Sequence, residues 1–297
     1  MPKLPRLVVV ALAVLMAAVV GLQAVVAERA PQPVSDGNLL YIRSGEFLKR
    51  AALSYRSLLA DLYWIRTVQH YGGTKRGADQ QRRYDLLYPL LDLTTSLDPQ
   101  FDIVYRFGAI FLSEPFPSGA GQPGQAIALL EKGLVAQPGD WDLAQQIGFI
   151  HYWWRRDYAM AAEWFQRAAQ MPDAPQWLSG LAAVTLAEGG NFESSRRLWQ
   201  QVLNDGDAYW LHSQATFRLK QLDALEVMGV LQQRVRRYTE RTGSLPKSWN
   251  DMIRTGDVRG VPLDPEEHPF VLRPDGTIGL DPKSPINPLP PGAVPRA

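Results

Sequence analysis

The sequence predicts an all-α fold: a solenoid of stacked helical hairpins, with one transmembrane helix at the N-terminus and a small β-hairpin segment near the C-terminus. Three observations predict it. Between Pro99 and Asp205 a proline followed by an aromatic, and then by a small residue inside an apolar helix face, recurs three times: Pro99 with Phe101 and Gly108, Pro138 with Trp141 and Gly148, Pro172 with Trp177 and Ala182. The prolines lie 39 and 34 residues apart, and a period in the thirties marks helical repeats that bury their faces by stacking. Leu7 to Ala27 is a run of 21 residues without a charge. Finally, Phe270-Val271-Leu272 and Thr277-Ile278-Gly279-Leu280 flank Pro274-Asp275-Gly276, two β-type runs around a turn.

Composition narrows the function classes. The 297 residues carry a formal charge of +1, so no basic field points to nucleic acid. The chain has no cysteine, which removes disulfides, thiolate metal sites, thiol nucleophiles and lipoprotein acylation.

Residues 1–30 form the predicted anchor. At about 1.5 Å per residue, 21 apolar residues span a hydrocarbon core of about 30 Å. Lys3 and Arg6 precede the run, which favours an N-terminus in the cytoplasm and the remainder outside. Arg29 and Arg43 weaken that bias. The competing reading is a cleaved signal peptide ending near Val25-Val26-Ala27, although the run exceeds the usual 7–15 residues of a signal core. The lipid bilayer, through residues 7–27, is therefore an expected partner.

Residues 31–38 read as a linker, and 39–98 as a helical hairpin that caps the stack. Its first helix is expected from Leu39 to Tyr71, with Leu53, Leu58, Leu59, Leu62, Tyr63 and Ile65 on the apolar face and Gly72-Gly73 as the stop. The second is expected from Asp79 to Leu97, kinked at Pro89.

Residues 99–205 hold the repeats. Phe107-Gly108, Ala126, Leu130, Gly133 and Pro138 make one unit. Ile147-Gly148, Asp157-Tyr158, Ala161, Phe165, Ala168 and Pro172 make the next, with a first helix one residue long of the pattern. Leu181-Ala182, Gly190-Asn191-Phe192, Ser195, Trp199 and Val202 make a third. This alternation resembles the tetratricopeptide-repeat (TPR) family over about residues 58–205. Physically, Gly108, Gly148 and Ala182 let one helix approach its partner, Ala126, Ala161 and Ser195 do so from the other side, and Leu130, Phe165 and Trp199 fill the space between hairpins. The resemblance implies a right-handed superhelix whose concave face is lined by first helices.

Two departures mark the candidate partner-binding residues. Ser113 to Gly124 lengthens one connection, and Pro115, Pro117 and Pro123 exclude helix there. Such a rim loop, with Phe116 in it, either carries function or is a tolerated insertion. The second departure is the aromatic cluster of Phe149, Tyr152, Trp153, Trp154 and Tyr158 beside Arg155. Adjacent Trp153 and Trp154 cannot both face one neighbour on an α-helix, so one of them would line the groove or anchor another protein. Core packing is the alternative for the cluster. The expected partner-binding set is Tyr152, Trp153, Trp154, Arg155 and Phe116.

Residues 206–242 read as a long helix from Asp207 to Thr242 that caps the solenoid. Its basic end, with Arg234, Arg236, Arg237 and Arg241, complements the helix C-terminus. Residues 243–283 then bring Gly243-Ser244-Leu245-Pro246, Trp249, Met252-Ile253, Gly260-Val261-Pro262, Asp264-Pro265 and the hairpin in close order. This resembles the C-terminal globular part of type II secretion pseudopilins, without their leader sequence, so assembly into a fibre is not implied. Residues 284–297 hold five prolines and read as an extended tail.

No catalytic constellation is present. His70, His151, His212 and His268 are scattered and match no metal spacing, and no nucleophile or phosphate-binding motif occurs. No catalytic residue, metal site or cofactor is expected, and the chain is read as not an enzyme. The expectation is a membrane-anchored scaffold or adaptor that binds other proteins, membrane or envelope proteins among them, in a bacterial inner membrane with the soluble part in the periplasm. The alternative is a structural or assembly subunit of an envelope machine that contacts its partners through the C-terminal segment.

Overall fold

The computed structural model describes residues 14–22, 55–76, 84–205 and 209–290. Residues 14–22 lie in a unit of their own, 1–43, and are helical. Among the described residues no helix is long and apolar enough to cross a membrane. The ends of the 7–27 run lie outside the described residues, as do the linker, residues 39–54, residues 77–83 and the last seven residues of the tail.

The described part of residues 44–297 is mostly α-helical, and its helices pack in sequence as neighbour pairs. α1 (Arg56–Arg76) pairs with α2 (Leu87–Leu97), α3 (Asp102–Ser113) with α4 (Pro123–Ala136), α5 (Trp141–Ile150) with α6 (Tyr158–Ala169), and α7 (Trp177–Glu188) with α8 (Phe192–Asp205). Each pair also meets the next, through α2 with α3, α4 with α5 and α6 with α7. α9 (Tyr209–Thr242) packs along α8 and touches α7.

The small residues of the repeat sit where helices come closest. A Cβ on Gly108 would lie 2.6 Å from Leu91 and 2.8 Å from Leu129, and one on Gly148 would lie 2.5 Å from the Phe165 ring. Ala126, Ala161, Ala182 and Ser195 are fully buried, as are Leu130 and Phe165, with Trp199 nearly so. Ser195 ties α8 to α7 by donating its hydroxyl to the Ala183 carbonyl at 2.7 Å.

The first hairpin differs from expectation in three respects. α1 continues through Gly72-Gly73 to Arg76, because Tyr71 is stacked on Phe111 at 4.0 Å and Lys75 pairs with Glu114 at 2.9 Å. These contacts across to α3 and its loop outweigh a glycine penalty of about 1 kcal/mol per residue. Pro89 produces no interior break, because α2 begins at Leu87 and places Pro89 in the first turn, where a backbone N–H has no helical partner. The face of α1 that meets the core is Ala60, Tyr63, Thr67, His70 and Tyr71, whereas Leu58, Leu62 and Ile65 are about half exposed. α1 thus carries two stripes, and apolarity alone does not say which one meets α2.

Pro123 also departs from the reading of the loop. It is the first residue of α4, a position that loses no hydrogen bond and already has the helical φ. The loop Glu114–Gln122 is tethered by Tyr71 and Lys75 to the Glu114 carboxylate, and by the Tyr84 hydroxyl to the Pro117 carbonyl at 3.2 Å.

The C-terminal segment folds on the second half of α9. Gly243 ends that helix at φ +75, a left-handed conformation open to glycine. α10 (Trp249–Arg254) follows, then β1 (Val271–Leu272) and β2 (Ile278–Gly279), antiparallel with Val271 opposite Gly279. Met228, Leu231 and Val235 of α9 share one core with Trp249, Met252, Phe270 and Ile278. Three side-chain donors fix the irregular backbone: Gln221 to the carbonyls of Ile286 and Pro288, Gln232 to that of Gly276, and the Trp249 indole to that of Phe270. Arg241 and Arg234 at the basic end of α9 bind Asp257, through its carboxylate and its carbonyl.

Candidate functional site

α3 and α5 lie side by side and leave a groove of about 540 Å³ between them. Its walls are Phe107 and Ile110 from α3, and Phe149, Ile150, Trp153 and Trp154 from α5 and its extension. Phe107 is 48% exposed, Ile110 54%, Trp153 54% and Trp154 45%. Four large apolar side chains thus keep about half their surface in water at one place, which marks an interaction surface more than scattered exposure does. A polar group also lines the groove: Arg106 bridges Asp102 and Asp142 at 3.0 Å each, and Gln146 donates to Asp142.

The local backbone explains how both tryptophans reach it. The start of α5 is a conventional aspartate cap, with the Asp140 carboxylate accepting from the backbone N–H of Asp142 and Leu143. Its end is not. His151–Arg155 forms a π turn, closed by Arg156 in the left-handed region at φ 55. The residue in excess of the repeat pattern is absorbed here, because i→i+5 bonding fits one more residue into a turn. The wider turn rotates successive side chains by less than the 100° of an α-helix. Adjacent Trp153 and Trp154 therefore line one groove, contrary to the α-helical expectation.

The other expected residues are placed around this pair. Tyr152 is half-buried against α6, its ring edge-on to Trp153 at 4.9 Å and to Tyr158 at 5.4 Å. Its hydroxyl donates to Glu188 at 2.5 Å. Burial first, then the bond to this carboxylate, pushes the phenol well above its ordinary range. Tyr152 thus braces Trp153 from behind. Arg155 is exposed, with its guanidinium 3.7 Å from where a Cβ on Gly124 would sit at the start of α4. Phe116, 58% exposed, stands on the tethered loop and is not part of the groove wall. Phe107 and Ile110 were absent from the expected set. Phe107 reads as a repeat position beside Gly108, and its exposure depends on how α3 and α5 are spaced.

His151 opens the π turn and its side chain is buried, with Nδ1 lacking a hydrogen-bond partner among the described residues. Burial, then the nearby Arg155 charge, lowers its pKa from the ordinary imidazole value. A base whose folded pKa is depressed stabilises the fold above the unfolded value of about 6.5 and loses that contribution as pH falls below it. The melting temperature should therefore be lower at pH 5.5 than at pH 7.5, and His151→Asn should shrink that difference. An unchanged difference would place the acid sensitivity elsewhere.

Among the described residues, no group of three or more His, Cys, Asp or Glu is arranged to hold a metal ion. Compared with the models of known protein families, with curated proteins and with solved structures, the chain matches none.

Proposed function

We propose that the protein is a TPR-like scaffold that holds a peptide or helix of another protein in the groove between α3 and α5. The observation that carries this reading is the set of four half-exposed apolar side chains, Phe107, Ile110, Trp153 and Trp154, facing one groove. Tryptophan braced from behind and open in front is the arrangement that anchors binding. The uncharged run of residues 7–27 supports a bilayer anchor; in this reading the membrane is a bacterial inner membrane, the helical repeats face the periplasm and the protein acts by binding, without catalysis. The partners would then be membrane or envelope proteins.

The test is purification of the tagged full-length protein from its own membranes in gentle detergent, followed by mass spectrometry. Trp153→Ala/Trp154→Ala should lose its co-purifying protein by at least about tenfold, since truncated hot spots cost ~2 kcal/mol or more. The melting temperature should move by only a few degrees, because both side chains are half in water. Full retention of the partner by this double variant would exclude the groove.

A second reading is a structural subunit of an envelope machine, built like the globular part of a pseudopilin from residue 243 onward. What favours it is an independent core on α9 with Val261 and Leu263 exposed at 47% and 54% beside the hairpin. In that case Val261→Asp/Leu263→Asp, and not the tryptophan pair, would strip the partner.

A further inference from the structure

Between Pro285 and Pro290 the backbone crosses from α9 to α7. Pro285 and Ile286 border a hollow with Phe217 and Lys220 of α9. Gln221 of the same helix donates to the carbonyls of Ile286 at 2.7 Å and Pro288 at 2.8 Å. Four residues after Ile286, Pro290 borders a small cavity with Val184 and Ala187 of α7 and Leu222 of α9. Val184 and Ala187 stand two and five residues after Ala182, as Ile110 and Ser113 stand after Gly108, and Ile110 and Ser113 line the groove between α3 and α5. The chain thus lays its own proline-rich segment on the last hairpin at the place that corresponds to the α3 wall of the groove.

Beyond Pro290 the way to the groove is short. Ala187 is followed by Glu188, which accepts the Tyr152 hydroxyl, and the Tyr152 ring lies 4.9 Å from that of Trp153. Residues 291–297, Pro-Gly-Ala-Val-Pro-Arg-Ala, reach ~22 Å at about 3.1 Å per residue of polyproline helix. Two steps between packed helices, from α7 past α5 to α3, take about 16–20 Å. Chemistry matches as well as length. Extended proline-containing segments dock in aromatic-lined grooves at little entropic cost, and Val294-Pro295 meets Trp153 and Trp154 at this reach. At the polar side of the groove, the Arg106 guanidinium is shared by two carboxylates, Asp102 and Asp142, which leaves one negative charge over. Arg296 is the one charged residue of 291–297.

We propose that residues 291–297 of the same chain cover the groove between α3 and α5, with Val294-Pro295 on the tryptophans and Arg296 at Asp142, and that a partner enters by displacing them. The inference rests on the reading of this groove as a binding surface, and names the kind of segment it holds: extended, proline-containing and carrying a cation.

The chain has no cysteine, so disulfide trapping is clean. In the full-length protein in native membranes, Ile110→Cys/Ala297→Cys should close an intramolecular disulfide on mild oxidation, seen as a shifted monomer band. Adding Val294→Asp/Arg296→Asp keeps the tether and removes the seat, and should slow the cross-link at least tenfold. Ending the chain after Pro290 should raise recovery of the co-purifying protein at least twofold. The proposal is overturned by no cross-link, by one that forms as fast with the two aspartates, by one that joins two copies, or by unchanged recovery after truncation. The scaffold reading is separable from it. No cross-link, with the partner still lost from Trp153→Ala/Trp154→Ala, removes the tail and leaves the scaffold. A seat-dependent cross-link, with the partner fully retained by that double variant, removes the scaffold and leaves the tail on its groove.

Discussion

Trp199→Ala is expected to be among the most destabilising single substitutions in the protein, at about 3–5 kcal/mol, the usual cost of truncating a buried aromatic. Trp199 is 1% exposed. It stands on α8 four residues after the buried Ser195 and three before Val202, and it shares a core with Ala183 and Ala187 of α7 and Leu211, Ala215, Leu222 and Leu225 of α9. A Cβ on Gly180 would lie 3.0 Å from its ring. One side chain thus joins three helices, and the small residues around it cannot move in to fill the void without shifting backbone. At about 2–4 °C per kcal/mol for a chain of this size, the melting temperature should fall by ~10 °C. Trp199→Phe should cost less, since most of the ring volume is kept. Far-UV circular dichroism during thermal and urea denaturation checks both. A loss below about 1 kcal/mol for Trp199→Ala would mean that α7, α8 and α9 do not share this core.

Trp199 also shows what could be read in advance. Its role as filler between hairpins follows from a local pattern, a large residue four after a small one, so sequence reveals it without tertiary information. The same holds for Gly108 and Gly148, where a missing Cβ is itself the signal. The hairpin around Pro274-Asp275-Gly276 was legible too, from turn chemistry and β-type runs. What failed was reading direction. Leu58, Leu62 and Ile65 are as apolar as any core stripe, and only the placement of α2 turns them outward. Gly72-Gly73 looked like a stop, yet Tyr71 and Lys75 hold the helix on by contacts with Phe111 and Glu114, which lie about 40 residues further on in the chain. The π turn was visible as one residue too many, but whether an extra residue is looped out or wound in depends on what the following side chains touch. That choice sets where Trp153 and Trp154 point. The candidate groove was half legible for this reason: the tryptophans stood out, and Phe107 and Ile110 did not.

Asp264 carries the second large effect. Its carboxylate is 5% exposed and accepts three hydrogen bonds: from the Ser284 hydroxyl at 2.5 Å, and from the backbone N–H groups of Glu266 and His268 at 2.9 Å each. It thereby ties the turn Asp264–His268 to the segment after the hairpin. Burial alone would raise its pKa, but the bonds from Ser284, His268 and Glu266 together outweigh burial and hold it below the ordinary carboxylate value. A carboxylate with a depressed folded pKa stabilises the fold above the unfolded value of about 3.9, and that stability is lost as pH falls through the folded pKa. Asp264→Ala leaves all three donors without their acceptor, at about 1–3 kcal/mol for each that water cannot reach. Because Glu266 and His268 are partly exposed, the expected total is about 2–4 kcal/mol. The damage should be local: hydrogen exchange should quicken over residues 249–290, while α3 to α6, which belong to a different core, keep their protection. Asp264→Asn preserves the shape and one acceptor, so it should cost less and should flatten the loss of stability below pH 4. If Asp264→Asn instead left the acid limb of the stability curve unchanged, the carboxylate charge would not be what holds this turn.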